Sequence, residues 1–504
     1  MIRDIKRFEG FEYDILIIGG GINGAAIANL AALNGLKTAL IEKGDFAGGT
    51  SSKSTKLLHG GLRYLENFEF DLVHEALKER LIQLKSAPHL AKPLGFIIPV
   101  YETDQRPLWM MRLGVFLYDL LSGRYIVDKH KKLSVTDILQ LAPGINKEKL
   151  KGGVLYYDVQ MDDARICLEN VLNADKNGAH VANYISADTL IKENGKAVGV
   201  RAIDVLSGNE CVIRAKKIVC TVGPWTNDFM KKEKGLLTQR VRTTKGVHIV
   251  YRGQFAPHAI LGTIKKDNRI FFIIPWRGNS LIGTTDTDYT GRPDDVDVKD
   301  EDIDYLLKES QRFFPEREFT RDNIITTFAG LRPLVHKEGS PSKLSRKHVI
   351  EQSYSGIVYV MGGKYTTYRK IAEDALKFVA KKKLIDTEKH YPLYGSDMVE
   401  EKSEDVARAY GVAVDIVESL KSTYGSRYKD VLDLVRSDEK LKIRVNTARP
   451  VIKAQIAYAI KTEMACTPED IVHRRLSLVY DDNRTQAYLS DIKQIFTQYS
   501  IKYK

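Results

Sequence analysis

At 504 residues the chain is long enough for more than one domain and for a large core. Its 43% hydrophobic and 28% charged residues are ordinary for a soluble globular protein, and no uninterrupted apolar run is long enough to span a bilayer. The net charge of +12 invites nucleic acid, an anionic membrane surface or acidic substrates as partners, but lysine and arginine are spread along the chain and no nucleic-acid-binding motif is present, so no nucleic acid is expected.

The opening residues, MIRDIKRFEG, are polar and do not read as a signal peptide. Residues 14–19 (DILIIG) predict a short buried strand. Gly19-Gly20-Gly21-Ile22-Asn23-Gly24 then fits G-x-G-x-x-G, 25–35 (AAIANLAALNG) predicts a helix closed by glycine, and 37–42 (KTALIE) predicts a second strand ending in Glu42. The glycines allow a tight turn and close approach of backbone to a pyrophosphate, which the helix N-terminus favours. An acid about 20 residues on takes ribose hydroxyls. This order predicts dinucleotide binding without separating FAD from NAD.

Further along, 106–125 (RPLWMMRLGVFLYDLLSGRY) sets Trp109, Leu113, Phe116, Leu117 and Leu120 at helical spacing between arginines, and Lys129-His130-Lys131-Lys132 follows. The stretch reads as an interfacial amphipathic helix or as a core helix with charged ends. Short β-branched strands are expected at 217–222, 247–251, 270–275, 280–285 and 357–361, the first returning to the nucleotide sheet before Gly223-Pro224 turns the chain. Regions 86–154 and 236–354 predict a second lobe. Helices are expected at 399–420, 428–434, 451–464, 468–478 and 484–499, with Thr467 capping Pro468. Cys167, Cys211, Cys220 and Cys466 form no C-x-x-C pair, which fits reduced buried thiols, and no metal-ligand cluster stands out.

A family resemblance becomes specific at 49–66, GTSSKSTKLLHGGLRYLE, and continues in order through 274–286 (IPWRGNSLIGTTD), 330–333 (GLRP), 362–370 (GGKYTTYRK) and 451–475 (VIKAQIAYAIKTEMACTPEDIVHRR). The chain resembles the FAD-dependent, aerobic-type glycerol-3-phosphate dehydrogenases nearly end to end. It departs at Ala26, Leu30 and Asn34, where the family usually has Gly, Asp and Arg. The resemblance implies an α/β fold: a Rossmann-like FAD-binding domain, a mixed-sheet substrate domain of the D-amino-acid-oxidase type and a helical C-terminal domain. The oxidoreductase part is expected at 1–385, with FAD-binding parts about 10–85, 155–235 and 355–385 and substrate-binding parts about 86–154 and 236–354, and the helical part at 386–504. The implied reaction oxidises sn-glycerol 3-phosphate to dihydroxyacetone phosphate, moving a hydride from substrate carbon 2 to FAD and electrons onward to a membrane quinone. The implied location is cytoplasmic and peripheral, on the inner face of a membrane, and a homodimer is left open.

Such chemistry needs cations for a phosphate of roughly two negative charges and an acceptor for the hydroxyl proton. Guanidinium groups bind a phosphate bidentately and lysine binds it as a point charge. By resemblance, Arg63, Arg332, Arg346 and Lys364 are the substrate-site cations, with Tyr64 as a hydrogen-bonding aromatic. A neutral imidazole suits proton removal near neutral pH, so His248 and His59 are candidate bases, with Arg332 and Lys364 beside them as catalytic candidates. The cofactor set adds Lys43, Thr50, Ser51, Ser52, Ser54, Gly223, Gly363, Lys364 and Thr366 to Gly19, Gly21, Asn23, Gly24 and Glu42. An oxidase that makes hydrogen peroxide, a non-catalytic nucleotide-binding protein and an NAD-dependent enzyme remain as alternatives.

Overall fold

Among the described residues three sheets carry the chain. The computed structural model describes residues 1–233, 240–264, 269–335, 347–380, 383–389, 391–397, 400–445, 449–482 and 485–499, excepting the side chains of 63, 66, 67, 485, 486 and 491.

The first sheet has six strands in the order His348–Gln352, Val358–Gly362, Ile218–Cys220, Ile15–Ile18, Thr38–Ile41, His180–Ala182, all parallel except the first. Every side chain of Ile15–Ile18 and Thr38–Ile41 is buried, as a central parallel strand covered on both faces requires. The helix Ile22–Leu33 is buried almost all round and alanine-rich, so Asp163–Lys176 and Tyr368–Ala380 approach it closely. The departures from the family pattern fit this packing: Ala26 and Leu30 are fully buried, and Asn34 donates its side-chain amide to the Leu30 carbonyl at 2.8 Å.

The second sheet is mixed, with ten strands built around Val241–Tyr251, Ala91–Tyr101 and Leu150–Met161. Ala259–Thr263 runs parallel to Ala91–Tyr101, and its other neighbour, Ile270–Trp276, is antiparallel. A four-stranded sheet lies at Glu12–Tyr13, Glu210–Ala215, Lys196–Asp204 and Ile185–Glu193.

Helices follow from Ser403. The single helix expected at 399–420 is two, Ser403–Tyr410 and Val414–Tyr424, because Gly411 adopts a left-handed conformation (φ 62°) and ends the first. The helix expected at 468–478 is one turn, Pro468–Asp470, with the Thr467 hydroxyl capping the Asp470 amide, and a wider turn follows at Ile471–Arg475. The first of these helices pack a core of their own around Val417, Leu420, Leu432 and Ala457. Ile456, Val472, Tyr480 and Ile492 share one core with Phe96, Tyr118 and Trp276 of the mixed-sheet lobe.

The stretch from 106 to 125 forms the helix Leu108–Ser122, and it is not a core helix. Val115 and Tyr118 are buried, while Trp109, Phe116 and Leu120 are 67%, 52% and 66% exposed. Among the described residues no helix is long and apolar enough to cross a membrane.

Candidate active site

The carboxyl ends of the parallel strands open into a cavity of about 1050 Å³. The turn Gly19–Gly24 forms its floor. Gly19 has φ 109°, and a Cβ at Gly24 would lie 1.9 Å from the Gly19 carbonyl oxygen, so only glycine lets the helix start this close to the strand. Gly21 instead faces the cavity, and a Cβ there would have Ser51 Oγ at 3.2 Å as its nearest neighbour. The Ser51 hydroxyl accepts the Ile22 amide at 2.9 Å, and Asn23 lines the same wall.

Glu42 lines the cavity from the end of the next strand. Its Oε2 accepts the Gly20 amide at 2.6 Å and its Oε1 the Gly44 amide at 2.8 Å. Burial raises this carboxyl, against the two backbone bonds, and each oxygen keeps a lone pair for a ribose hydroxyl. Lys43 reaches Asp294 at 2.8 Å and lies 4.1 Å from the Trp225 ring centroid. Lys53 also lines the cavity, and burial and the charges of Arg474 and Lys56 push its ammonium down. An anion placed there relieves both costs. A glycine turn open to the cavity, an acid at the ribose position and a strained cation fit the diphosphate and ribose of a dinucleotide.

Thr50, Ser54, Gly223, Gly363, Lys364 and Thr366 line the same cavity. Thr50 donates to the Leu331 carbonyl at 2.7 Å, and Ser54 donates to Asp163 at 2.7 Å. Ser52 is buried, and its carbonyl accepts the Lys56 ammonium at 2.7 Å. Gly24 acts from behind the turn.

A second cavity of about 240 Å³ adjoins the first, and His59, Thr55, Phe272 and Arg332 line both. Arg332 Nη1 lies 3.1 Å from Asp286, and Nη2 donates to Thr284 Oγ1 at 3.0 Å. A Cβ at Gly246 would lie 2.4 Å from Nη2, so glycine there makes room for the guanidinium. Lys364 Nζ stands 3.7 Å from the ring centroid of Tyr64, which lines the smaller cavity. Arg346 and the Arg63 side chain lie outside the described residues.

His248 is 2% exposed, stacks on Phe328 at 5.1 Å and has Nε2 3.0 Å from the Thr55 hydroxyl. Its Nδ1 is buried without a hydrogen-bond partner. Burial, then the charges of Arg332 and Lys56, push this imidazole down to about 3. It is therefore neutral near pH 7. The His59 amide donates to Thr366 Oγ1 at 3.2 Å.

Several lining residues were not expected. Arg269 donates to the Asp286 carbonyl at 3.2 Å and Arg106 to Thr263 Oγ1 at 3.4 Å in the smaller cavity, and Arg474 lines the larger one. Asp286 and Arg474 lie inside the quoted motifs, whereas Arg269 lies outside them all.

Residues 14–369 match the FAD dependent oxidoreductase family, and 386–500 match the C-terminal domain of alpha-glycerophosphate oxidase. The chain is 38% identical to a glycerol-3-phosphate dehydrogenase of Synechocystis sp., over 96% of this chain and 92% of that one. It is 36% identical to the aerobic glycerol-3-phosphate dehydrogenase of Staphylococcus aureus, over 94% and 88%. The solved structure of the glycerol-3-phosphate dehydrogenase from Bacillus halodurans complexed with FAD superposes with a TM-score of 0.82 at 30% identity, covering 98% of this chain and 92% of that one. With a glycine turn, an acid and a cavity built for a dinucleotide, and with relatives matched over nearly its whole length, the chain belongs to the family of FAD-dependent glycerol-3-phosphate dehydrogenases.

Proposed function

We propose that the chain oxidises sn-glycerol 3-phosphate to dihydroxyacetone phosphate and hands the electrons to a quinone dissolved in the membrane. In this reading 1–385 carries cofactor and substrate, and 386–504 is the helical remainder. FAD, when bound, supplies the two-electron acceptor. The observation that carries the reading is Arg332, whose guanidinium lies at the junction of the two cavities with its orientation fixed by Asp286 and Thr284. A fixed planar fork suits a phosphate or a reacting oxygen, and Lys364 over Tyr64 adds a point charge. Arg63 and Arg346 complete the proposed set of substrate cations.

His248 accepts the hydroxyl proton in this proposal. Thr55 fixes its ring, and a dianionic substrate opposes the charges of Arg332 and Lys56 that hold its proton affinity down. Glu42, Ser51, Asn23 and the Gly19–Gly24 turn hold the dinucleotide, with Lys43, Thr50, Ser54, Gly223, Gly363 and Thr366 around it and Ser52 behind them, its carbonyl bound to Lys56.

The quinone part rests on the outside of the Leu108–Ser122 helix. Trp109, Leu113, Phe116 and Leu120 point outward, and exposed Phe68 and Phe70 stand at the start of the neighbouring helix Phe70–Ser86. Exposed Arg124, Lys129, Lys131 and Lys132 follow. An apolar face bordered by cations suits an anionic bilayer surface, and the proposed location is peripheral, on the cytoplasmic face.

Anaerobic glycerol 3-phosphate should bleach the flavin absorbance, and a short-chain quinone should restore it. No bleaching would remove the substrate reading. Peroxide formed at the rate of turnover, with no quinone reduction, would replace quinone by oxygen.

A further inference from the structure

The helical C-terminal part reaches the dinucleotide turn. Residues 42–49, EKGDFAGG, follow the strand Thr38–Ile41 and turn toward Gly20. The Ala47 amide donates to the Gly20 carbonyl at 3.1 Å, and Phe46 fills the space beside Gly20, where a Cβ would come within 2.7 Å of its ring. This loop therefore closes one side of the turn, and three glycines give it little stiffness of its own.

Asp45 anchors the loop, and it is 4% exposed. Arg475 grips its carboxylate with both terminal nitrogens, Nη1 to Oδ2 at 2.7 Å and Nη2 to Oδ1 at 2.8 Å. Arg474 adds Nε to Oδ2 at 2.5 Å, and the Asn183 amide donates to Oδ1 at 2.9 Å. Burial alone would raise this carboxyl, but the two guanidinium charges outweigh it and hold Asp45 below the usual carboxylate range. Both arginines come from the turn Ile471–Arg475, which the Thr467 cap and Asp470 set in place. Arg475 is itself fixed, because its Nε donates to the Glu463 carbonyl at 3.1 Å. Arg474 bonds Asp470 at 2.7 Å and lines the cofactor cavity, as Lys53 does.

We propose that Asp45, Arg474 and Arg475 form a clamp through which the C-terminal part holds the 42–49 loop against the dinucleotide turn, so that retention of FAD depends on residues of the C-terminal helices. The proposal rests on FAD binding and is independent of the substrate and the electron acceptor. Removing one partner of a buried ion pair leaves a charge without compensation, and the flexible loop is the element free to move in response. Asp45, Arg474 and Arg475 are positioning residues here.

The test uses holoenzyme diluted in steps, with free-flavin fluorescence reporting dissociation, and a heating ramp that compares flavin release with loss of far-ultraviolet circular dichroism. Arg474→Gln and Asp45→Asn should each weaken FAD retention at least ten-fold, and flavin should leave before the secondary structure melts. Arg427→Gln serves as the control. It breaks another buried link to the C-terminal helices, through Glu169 and Glu463, without touching the loop. This control should lower the melting temperature and leave flavin dissociation unchanged. Wild-type retention in Arg474→Gln and Asp45→Asn would overturn the clamp. Equal loosening of flavin in Arg427→Gln would also overturn it, because the effect would then be general destabilisation.

Discussion

The backbone amide of Gly60 donates to the phenolic oxygen of Tyr118 at 2.8 Å, and that hydroxyl donates onward to Asp158, also at 2.8 Å. Tyr118 belongs to the inner face of the helix whose outer face shows Trp109 and Phe116, and Gly60 sits between His59 and Gly61 in the wall of the smaller cavity. The exposed helix and the 59–64 segment, which carries the candidates His59 and Tyr64, are one hydrogen bond apart, and Arg80 completes the group through Asp158 at 2.5 Å. Tyr118→Phe leaves the Gly60 amide only the 3.4 Å contact to Asp158. A buried donor so exposed to loss costs about 1–3 kcal/mol, so KM for glycerol 3-phosphate should rise by roughly ten-fold with flavin content unchanged. Steady-state kinetics with a soluble acceptor measure this, and an unchanged KM would mean that the loop is held by other contacts.

Arg332→Ala removes a charge-assisted contact worth about 1.5–3 kcal/mol, so kcat/KM should fall roughly ten- to a hundred-fold. It also strips Asp286 of a cation beside the cavity. Arg332→Lys should recover part of the loss, because the charge returns without the planar fork. Kinetics equal to wild type in the alanine variant would take Arg332 out of the site.

The pH profile tests His248 as the proton acceptor. A base is active when deprotonated, and a depressed value keeps it so until the pH falls through that value. With His248 pushed down to about 3, it stays deprotonated through the mildly acid range. After correction for the substrate phosphate, which titrates near pH 6, kcat/KM should therefore stay flat between about pH 5 and 7. A residual acid limb within that range would take the role away from His248.

Gly24→Ala puts a methyl group 1.9 Å from the Gly19 carbonyl oxygen, which the turn cannot absorb without moving. The purified variant should be colourless or misfolded. Full flavin occupancy by visible absorbance would refute the placement of the dinucleotide on this turn.

Sedimentation with anionic vesicles tests the outer face of the Leu108–Ser122 helix. Trp109→Ser with Phe116→Ser should reduce pelleting while the flavin stays bound, since both side chains are exposed. Salt should weaken binding in part, because each Lys or Arg near the surface contributes about 1 kcal/mol of screened attraction beside the apolar term. Wild-type protein left in the supernatant at low salt would defeat the membrane proposal.

The cofactor turn was legible because its logic is local: a buried strand, glycines at fixed spacing, an alanine-rich helix and an acid follow within thirty residues. The outward face of Leu108–Ser122 was not, because helical spacing marks an apolar stripe but not what lies against it. The break at Gly411 was readable in principle, yet apolar periodicity on both sides concealed it. His248 could be singled out as an imidazole on a strand, but its depressed proton affinity depends on Lys56 and Arg332, which the fold brings to it. Arg269 carries no sequence mark and lines the cavity only because Ile270–Trp276 runs beside Ala259–Thr263.

Asp45 and Arg475 are 430 positions apart. A ribosome delivers the chain N-terminus first, so the strand and turn that start the nucleotide site emerge long before the guanidinium that fastens their loop. At roughly 5–20 residues per second the delay is on the order of 20–90 seconds. If the clamp governs retention, firm flavin binding waits for the end of translation. A message truncated just short of codon 475 would, on the same proposal, yield a polypeptide that holds its flavin weakly.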